Sequence, residues 1–382
     1  MKQLERRTWA EISLPDLEHN YRALRAMLAP GCRFLGVVKA NAYGHGAVRG
    51  AQKLEQLGAE YLAVACLGEA VELREAGICA PILILGYTPA DCGGELLRYG
   101  LTQTIYDAGT ARAFSEAACR AGKRLRVHVK ADTGMSRLGW LCGGAALERA
   151  ADDIQAVCAL PGLEAEGIYT HFANADSDED YTMEQFTRFL DLLAELERRG
   201  VTFQIRHCAA SAAVLKYPCI HLDMVRPGIA LYGHYPDPSC EGLDGPGLIP
   251  VMTLKTRVAS VKDVPAGTPV SYGCTHVLER DTRLAALTAG YADGLPRVCS
   301  DRLEVWLQGR RIPVVGRICM DMCMADVTGL DVHPGDEAEI FGRHLPAEEA
   351  AALAGTIQYE LLCAVSPRVP REYLEQDGDK TL

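Results

Sequence analysis

A lysine at position 39 is the residue whose placement points most directly to chemistry. It follows the apolar run FLGVV at 34–38 and opens the segment KANAYGHG at 39–46. Lysine is costly to bury unless it is paired or has lost its charge, so a lysine that ends a buried strand is a candidate amine nucleophile. One use of such an amine is a Schiff base with a carbonyl cofactor. For a lone lysine, a strand end that simply reaches solvent is the commoner interpretation.

The first two-thirds of the chain alternates short apolar runs with helical patterns, which predicts a parallel sheet. The eight predicted strands are residues 34–38, 61–65, 82–85, 102–105, 125–129, 167–171, 203–207 and 222–225. Helical patterns include 15–28, with Ser13 as its N-cap, 107–121 and 182–199. Eight such units in roughly 230 residues predict an α/β fold with an N-terminal (β/α)8 TIM-type barrel. An open doubly wound sheet is the structural alternative.

The barrel prediction locates the candidate site, because active sites in this fold lie at the C-terminal ends of the strands. The polar residues at the ends of the predicted strands are Lys39, Lys130, His171, His207 and Arg226.

The pattern changes near residue 240, where proline and glycine cluster between 236 and 247. The β-rich runs that follow are 252–264, 269–272, 284–287, 303–307 and 312–315. They predict a smaller, mainly antiparallel β domain. We therefore expect a barrel at 12–240 and a β-rich C-terminal domain at 241–382, with residues 1–11 packing against the second domain.

Composition excludes several classes of partner. The net charge of −11 argues against nucleic acid and against an anionic membrane surface. No stretch approaches the roughly 18 apolar residues of a membrane span. The 15 cysteines include no Cys-x-x-Cys pair, so we expect free thiols in a reducing cytoplasm and no metal site. The acidic run at 176–180 lacks the glycine and glutamate of a calcium loop and is interpreted as a solvated loop.

Eight short motifs occur one after another along the chain. They are KANAYGHG at 39–46, KADTGMSRLG at 130–139, THFA at 170–173, HCAASAA at 207–213, VRPGI at 225–229, VSYG at 270–273, GYADG at 290–294 and GRICMD at 316–321. Together they resemble the motifs of alanine racemases, which bind pyridoxal 5'-phosphate. The resemblance implies an isomerase that works as a homodimer with shared active sites and interconverts L-alanine and D-alanine, supplying D-alanine for peptidoglycan.

Racemisation needs a proton-transferring group on each face of a planar carbanion. The resemblance implies that Lys39 is one and that Tyr272, supplied by the partner subunit, is the other. A free tyrosine has a pKa of about 10. For Tyr272 to transfer protons near neutral pH, its surroundings must tune that pKa.

The resemblance also implies that Arg226 faces the pyridine nitrogen and that His171 orients it. Arginine donates a hydrogen bond but keeps its proton, which leaves the ring nitrogen largely unprotonated. An unprotonated ring is a weaker electron sink, which favours reprotonation at the α-carbon over transamination.

The remaining site residues are carried over from the resemblance alone. It implies that the cofactor phosphate is held by Tyr43, Ser211, Gly228 and Ile229. It implies a substrate site of Arg137, Lys130, Met320 and Asp321, and a substrate channel of Asp176 with the partner's Tyr291 and Arg297. Arg137 is the expected contact of the substrate carboxylate, and many members of the family carry a carbamylated lysine where this chain has Lys130.

Two positions depart from the resemblance. Pro367 stands where alanine racemases usually carry a tyrosine, and Ala210 stands where asparagine commonly precedes the serine. Related serine racemases also lack the tyrosine, so a serine or broad-specificity racemase is the first alternative. A decarboxylase of the same fold would place an acidic residue where Arg226 stands. A cofactor-binding homeostasis protein would be a lone barrel and would leave the second domain unexplained.

Overall fold

The computed structural model describes residues 6–242 and 245–375. Contacts between residues divide the chain into two compact units. Among the described residues, the barrel unit contains 18–42, 47–242 and 245–248, and the β unit contains 6–17, 43–46 and 249–375.

Parallel strands form the centre of the barrel unit. They are β2 (Arg33–Val37), β3 (Tyr61–Val64), β4 (Ile82–Ile84), β5 (Thr102–Ile105), β6 (Leu125–Asp132), β8 (Leu163–Tyr169), β9 (Ile205–His207) and β10 (Met224–Val225), in the order β10-β2-β3-β4-β5-β6-β8-β9. Backbone hydrogen bonds from Asp223 N to Arg206 O and from Arg226 N to Ala209 O join the β9 and β10 segments. This closes the ring, and the predicted barrel is confirmed. A short strand β7 (Trp140–Leu141) pairs with β6.

Helices alternate with these strands. They are α1 (Leu14–Ala26), α2 (Lys39–Tyr43), α3 (Ala47–Gln56), α4 (Leu67–Glu75), α5 (Gly93–Arg98), α6 (Ala108–Arg120), α7 (Leu147–Cys158), α8 (Glu179–Arg198) and α9 (Ser211–Lys216). Ser13 Oγ accepts a hydrogen bond from Asp16 N at the start of α1, as predicted.

Helix α8 begins three residues before the predicted start at 182. The Asp178 side chain accepts a hydrogen bond from Tyr181 N, and Glu179 and Asp180 lie in the first turn, where acidic side chains favour the helix dipole. The prediction of a solvated loop over 176–180 is therefore wrong for its second half.

The β unit is mainly antiparallel, as predicted. Its strands are β1 (Thr8–Ser13), β11 (Met252–Val264), β14 (Thr282–Leu287), β15 (Glu304–Leu307), β16 (Arg310–Val315), β17 (Cys323–Asp326), β18 (Glu337–Phe341) and β19 (Arg371–Leu374), in the order β14-β17-β16-β15-β18-β11-β1-β19. Strand β11 also pairs with β14, and the one parallel pair among the described strands of this sheet joins β1 to β19. A two-stranded sheet, β12 (Pro269–Val270) with β13 (His276–Val277), and helices α10 (Ala347–Ala354) and α11 (Gln358–Ala364) complete the unit.

The predicted strand at 269–272 is too long. The chain leaves β12 after Val270, Ser271 has φ 63°, and Tyr272 lies on a 3₁₀ turn that ends at Cys274. Positive φ is incompatible with continuing a strand, so Tyr272 is presented on a turn and not on a sheet.

Candidate active site

Lys39 opens an unusual backbone segment at the end of the first barrel strand. The four residues that follow it, Ala40 to Tyr43, all have φ of 52–53°, so helix α2 is one turn of left-handed helix without glycine. Left-handed helix costs about 1–2 kcal/mol per L-residue, and strain of this kind concentrates at functional sites. Glu69 stabilises the turn, because its carboxylate accepts hydrogen bonds from Ala40 N and, at the end of β3, from Ala65 N.

Arg226 is the centre of the polar cluster at the strand ends of the barrel. Its guanidinium is buried, with 3% of the residue exposed. One terminal nitrogen meets His207 Nδ1 at 2.9 Å, and the other meets His171 Nδ1 at 3.2 Å. The second nitrogen also donates to the carbonyls of Thr170 and Cys208 at 2.9 and 3.1 Å. Among the described residues, no carboxylate hydrogen-bonds to this guanidinium.

The two imidazoles beside Arg226 are neutral acceptors. Burial first, and then the charge of Arg226, hold the pKa of His171 and of His207 well below the ordinary range. The Lys39 charge contributes to the shift of His171, in keeping with its position at the same end of the barrel. Burial also lowers the pKa of Arg226, although arginine remains protonated in proteins. Of the three side chains Arg226, His171 and His207, only the arginine therefore carries a charge.

Lys130 lies on β6 within the same cluster. Its ammonium nitrogen donates to Ala131 O at 2.7 Å and lies 5.2 Å from the ring centre of Tyr169. Burial, followed by repulsion from Arg226, lowers its pKa to about 7. Arg137, on the exposed loop after β6, adds to this repulsion. The loop is shaped by Asp132, whose Oδ1 accepts three successive backbone hydrogen bonds, from residues 134, 135 and 136.

A backbone cradle follows β10. Ser211 Oγ, at the start of α9, accepts hydrogen bonds from Gly228 N at 2.9 Å and Ala230 N at 3.3 Å. Ile229, which lies between these two residues, begins a 3₁₀ turn, and the two flanking N–H groups converge on one hydroxyl. Converging backbone N–H groups form an anion-binding concavity. Ala210, at the N-cap position of α9, is half-buried and has no side-chain group that could cap this helix.

Asp176, the remaining barrel residue predicted for the site, lies in the loop between β8 and α8 and not at a strand end. It lies before α8, and its carbonyl accepts hydrogen bonds from Lys216 Nζ and Ser239 Oγ.

The β unit carries the remaining predicted residues. Tyr272 is 70% exposed, Met320 52% and Tyr291 42%, and Arg297 is exposed on a 3₁₀ turn. Tyr43 is buried in this unit, where burial raises the pKa of its hydroxyl and its ring lies 6.1 Å from that of Tyr359.

Two loops of the β unit are joined directly. Tyr291 N donates to Cys319 O and Ala292 N donates to Met320 O. A Cβ at Gly290 would lie 2.4 Å from both the Cys319 and the Met320 carbonyls, so this approach requires glycine. Met320 and Tyr291 are therefore held side by side.

Asp321 makes an ion pair that the sequence analysis did not identify. Arg368 donates from one terminal nitrogen to Asp321 and from Nε to the buried Asp293, both at 2.8 Å. Arg7 binds the same oxygen of Asp293 at 2.6 Å. Arg368 follows Pro367 directly, so the departure at 367 lies beside a residue that fixes Asp321.

The sequence did not indicate Tyr169, and it identified His207 without a role. Tyr169 stacks on His207, with ring centres 4.7 Å apart, and lies under the Arg226 guanidinium at 5.0 Å. The strand-end pattern located His207, but it did not reveal the contact of His207 with Arg226.

The described ranges, 6–242 and 245–375, contain neither a metal-binding cluster nor a membrane-spanning helix. No group of three or more His, Cys, Asp or Glu residues in these ranges could hold a metal ion. Within the same ranges, no helix is both long and apolar enough to cross a membrane.

Known proteins match this chain over most of its length. The family model for the alanine racemase N-terminal domain matches residues 12–236, and that for the C-terminal domain matches 251–373. Alanine racemase of Desulforamulus reducens is 48% identical over 371 residues, covering 96% of this chain and 98% of the relative. Alanine racemase of Methanococcus maripaludis is 44% identical over 372 residues, covering 96% and 98%.

Solved structures match at the level of the fold and the sequence. The alanine racemase of Clostridium difficile 630 superposes with a TM-score of 0.94 at 38% identity, covering 98% of this chain and 97% of that one. The alanine racemase of Streptomyces coelicolor A3(2) gives 0.91 at 39% identity, covering 97% and 98%. Both domains match in order and over nearly the full length, so this chain is an isomerase that belongs to the alanine racemase family.

Proposed function

We propose that this enzyme interconverts L-alanine and D-alanine with pyridoxal 5'-phosphate bound at the strand ends of the barrel. The observation that carries the proposal is the buried Arg226 guanidinium, surrounded by the neutral acceptors His171 and His207. Such a group offers a hydrogen bond to a ring nitrogen without giving up its proton.

The donor set of the barrel unit fits this cofactor. Lys39 supplies an amine for a carbonyl group, and the Ser211 hydroxyl with the backbone N–H groups of Gly228 and Ile229 suits a phosphate. All the Arg226 hydrogen bonds to described residues come from its two terminal nitrogens, which leaves Nε–H to serve the ring nitrogen. We assign Tyr43 to the phosphate as well, on the family resemblance alone.

Pyridoxal phosphate supplies an electron-withdrawing ring that makes the substrate α-hydrogen acidic. Arg226 keeps its own proton, which limits how far that ring withdraws charge and favours return of a proton to the α-carbon. Lys39 removes or returns the proton on one face, and Tyr272 does so on the other. Arg137 orients the substrate carboxylate, for which a planar guanidinium is suited.

Lys130 is proposed to support Arg137. An amine whose pKa is about 7 is substantially unprotonated at neutral pH, which is the form that reacts with carbon dioxide. We therefore propose that Lys130 is carbamylated: the neutral amine would add carbon dioxide and release a proton, which would leave an anionic acceptor for Arg137.

We propose that two copies of the chain assemble with shared active sites. Seven of the ten large apolar side chains exposed in the described part of the chain belong to the β unit. They are Tyr272, Val277, Tyr291, Val298, Met320, Met322 and Ile357. Exposed apolar surface of this kind is typical of an interface. Tyr272, Met320 and Asp321 would then serve the partner's barrel, with Tyr291 and Arg297 lining the channel beside the partner's Asp176.

We propose a cytoplasmic reaction that supplies D-alanine for peptidoglycan. None of the 15 cysteines, all of which lie in the described ranges, forms a disulfide, which suits a reducing compartment.

The first prediction concerns the residue that holds the cofactor. The purified enzyme should show a visible absorption band that borohydride abolishes, with the cofactor fixed on the peptide containing Lys39. Lys130 is the matched control, because it is a second lysine at a strand end of the same barrel. Recovery of the label on Lys130 would refute the assignment of Lys39.

The second prediction concerns the two bases. Tyr272→Phe keeps the ring and removes the hydroxyl, so racemisation should fall by about 10²–10⁴-fold, the usual contribution of general acid–base catalysis. Exchange of the α-hydrogen with deuterium oxide should persist for one enantiomer, because Lys39 still serves its face. Equal exchange of both enantiomers by this variant would contradict one base per face.

Complementation separates a shared site from a self-contained one. A mixture of Lys39→Ala and Tyr272→Phe chains should regain activity, because one of the two sites in a mixed dimer has both bases. Mass spectrometry of the mixture must first establish subunit exchange. With exchange established, the absence of any recovery counts against sharing.

The third prediction concerns specificity. Proline at 367 brings neither a hydroxyl nor a backbone N–H, so the site lacks a contact that most relatives have. A pocket that merely tolerates an extra hydroxyl discriminates weakly, and we expect measurable racemisation of serine beside alanine. Pro367→Tyr should shift the ratio of kcat/KM toward alanine, once its fold and cofactor content match the parent. Rejection of serine by about 10⁴-fold or more in the parent enzyme would overturn this prediction.

A further inference from the structure

A chain of buried hydrogen bonds runs from Arg226 into the barrel. His207 Nδ1 meets Arg226, and His207 Nε2 lies 2.9 Å from His128 Nδ1. His128 Nε2 lies 3.3 Å from Glu166 Oε2, which also accepts a hydrogen bond from the Tyr61 hydroxyl. Both imidazoles are fully buried. We call Glu166, His128 and His207 the relay.

The two ends of the relay determine the protons between them. Arginine only donates and a carboxylate only accepts, whereas a neutral imidazole donates from one nitrogen and accepts at the other. His207 must therefore accept from Arg226 at Nδ1 and donate from Nε2 to His128. His128 in turn donates from its own Nε2 to Glu166. In any other pair of tautomers, two donors or two lone pairs face each other in at least one contact.

The charge states agree with this direction. Burial is the largest influence on both histidines and lowers the pKa of each, so both are neutral. Burial alone would raise the pKa of Glu166, but hydrogen bonds from His128 and Tyr61 outweigh it and lower the pKa overall. Glu166 is thus ionised and acts as an acceptor.

Two local features of β8 make the relay possible. The pairing of β6 with β8 shifts between Val127–Ala165 and His128–Gly167, so Glu166 is the extra residue of a β-bulge. Bulges redirect a side chain and are common beside active sites. Gly167 comes next, and a Cβ there would lie 2.7 Å from the His128 ring. The backbone therefore both turns Glu166 toward the relay and leaves room for His128.

We propose that Glu166 is a positioning residue for Arg226, acting through His128 and His207. Together with Arg226 at the other end, it fixes the tautomers so that the guanidinium meets a lone pair, and it ends with a negative charge the hydrogen-bond chain of a cation whose direct partners are neutral. A buried charge without compensation is costly, and the relay supplies compensation without placing a carboxylate at the cofactor. The catalytic part of this inference rests on the proposed role of Arg226 at the ring nitrogen.

The test reads the tautomers directly. Two-bond ¹H–¹⁵N spectra of the ¹⁵N-histidine-labelled holoenzyme distinguish imidazoles protonated at Nε2 from those protonated at Nδ1. Signals are assigned with His128→Gln and His207→Gln. Both histidines of the unaltered enzyme should be neutral and protonated at Nε2. Protonation of either one at Nδ1 overturns the proposal without recourse to any other variant.

Three variants test the role of Glu166. Glu166→Leu removes the acceptor of the His128 Nε2 proton and leaves Arg226 as the remaining constraint, so the relay histidines should populate both tautomers, whereas Glu166→Gln keeps a carbonyl oxygen and should preserve the original ones. Glu164→Leu is the matched control, since Glu164 lies on the same strand and hydrogen-bonds to neither histidine among the described contacts. Unchanged tautomers in a folded Glu166→Leu enzyme overturn the proposal.

Kinetics separate positioning from mere stability. Glu166→Leu should lower kcat by at least about tenfold, the scale seen when an outer hydrogen-bond partner is lost, with a smaller change in KM. It should also raise the ratio of transamination to racemisation, and Glu166→Gln should restore most of both. A folded Glu166→Leu enzyme with altered tautomers and an unchanged ratio contradicts the role of Arg226 and leaves the relay itself intact. Loss of activity with an unchanged ratio and unchanged tautomers contradicts the relay alone.

Discussion

The burial of one guanidinium among neutral acceptors is the constraint on which the site depends. Arg226 follows β10, and its partners come from the ends of β8 and β9, so three neighbouring strands must end in register for the cluster to form. Closing the barrel achieves this, because Arg226 N is itself bonded to Ala209 O across the closure. The hydrogen bonds that complete the barrel therefore also fix Arg226, the group that we propose controls the chemistry.

Several residues around this cluster have energetically unfavourable conformations or environments, which the rest of the fold stabilises. Four successive left-handed residues after Lys39 are strained, and Glu69 holds them against β3 with two hydrogen bonds. The bulge at Glu166 interrupts a regular strand pair, and Lys130 is kept in an environment that disfavours its charge. The left-handed turn lies at the strand end of the barrel, and the bulge and Lys130 lie on its strands. The proposed chemistry requires side chains to be held in fixed positions there.

The sequence predicted the eight central barrel strands and five strand segments of the β unit, but it missed strands β1, β17, β18 and β19 and the irregular features. Apolar runs bounded by polar residues revealed all eight barrel strands, and the strand-end rule identified Lys39, Lys130, His171, His207 and Arg226. Strand β1 was missed because its partner β11 lies some 240 residues away, as in the pair Thr8–Thr256, and its short pattern has no local signal. The turn carrying Tyr272 depends on the φ of Ser271, and the bulge at Glu166 depends on pairing register. Residue type alone predicts neither the φ of Ser271 nor the pairing register at Glu166.

The protonation state of the pyridine nitrogen that we propose faces Arg226 is the most direct test of the role of this arginine. ¹⁵N NMR of the enzyme reconstituted with pyridoxal phosphate labelled at that nitrogen measures this state. A guanidinium that donates a hydrogen bond but retains its proton predicts the chemical shift of a hydrogen-bonded, unprotonated pyridine, with little change across the pH range in which the enzyme is folded. The shift of a protonated pyridinium would contradict the central role given to Arg226.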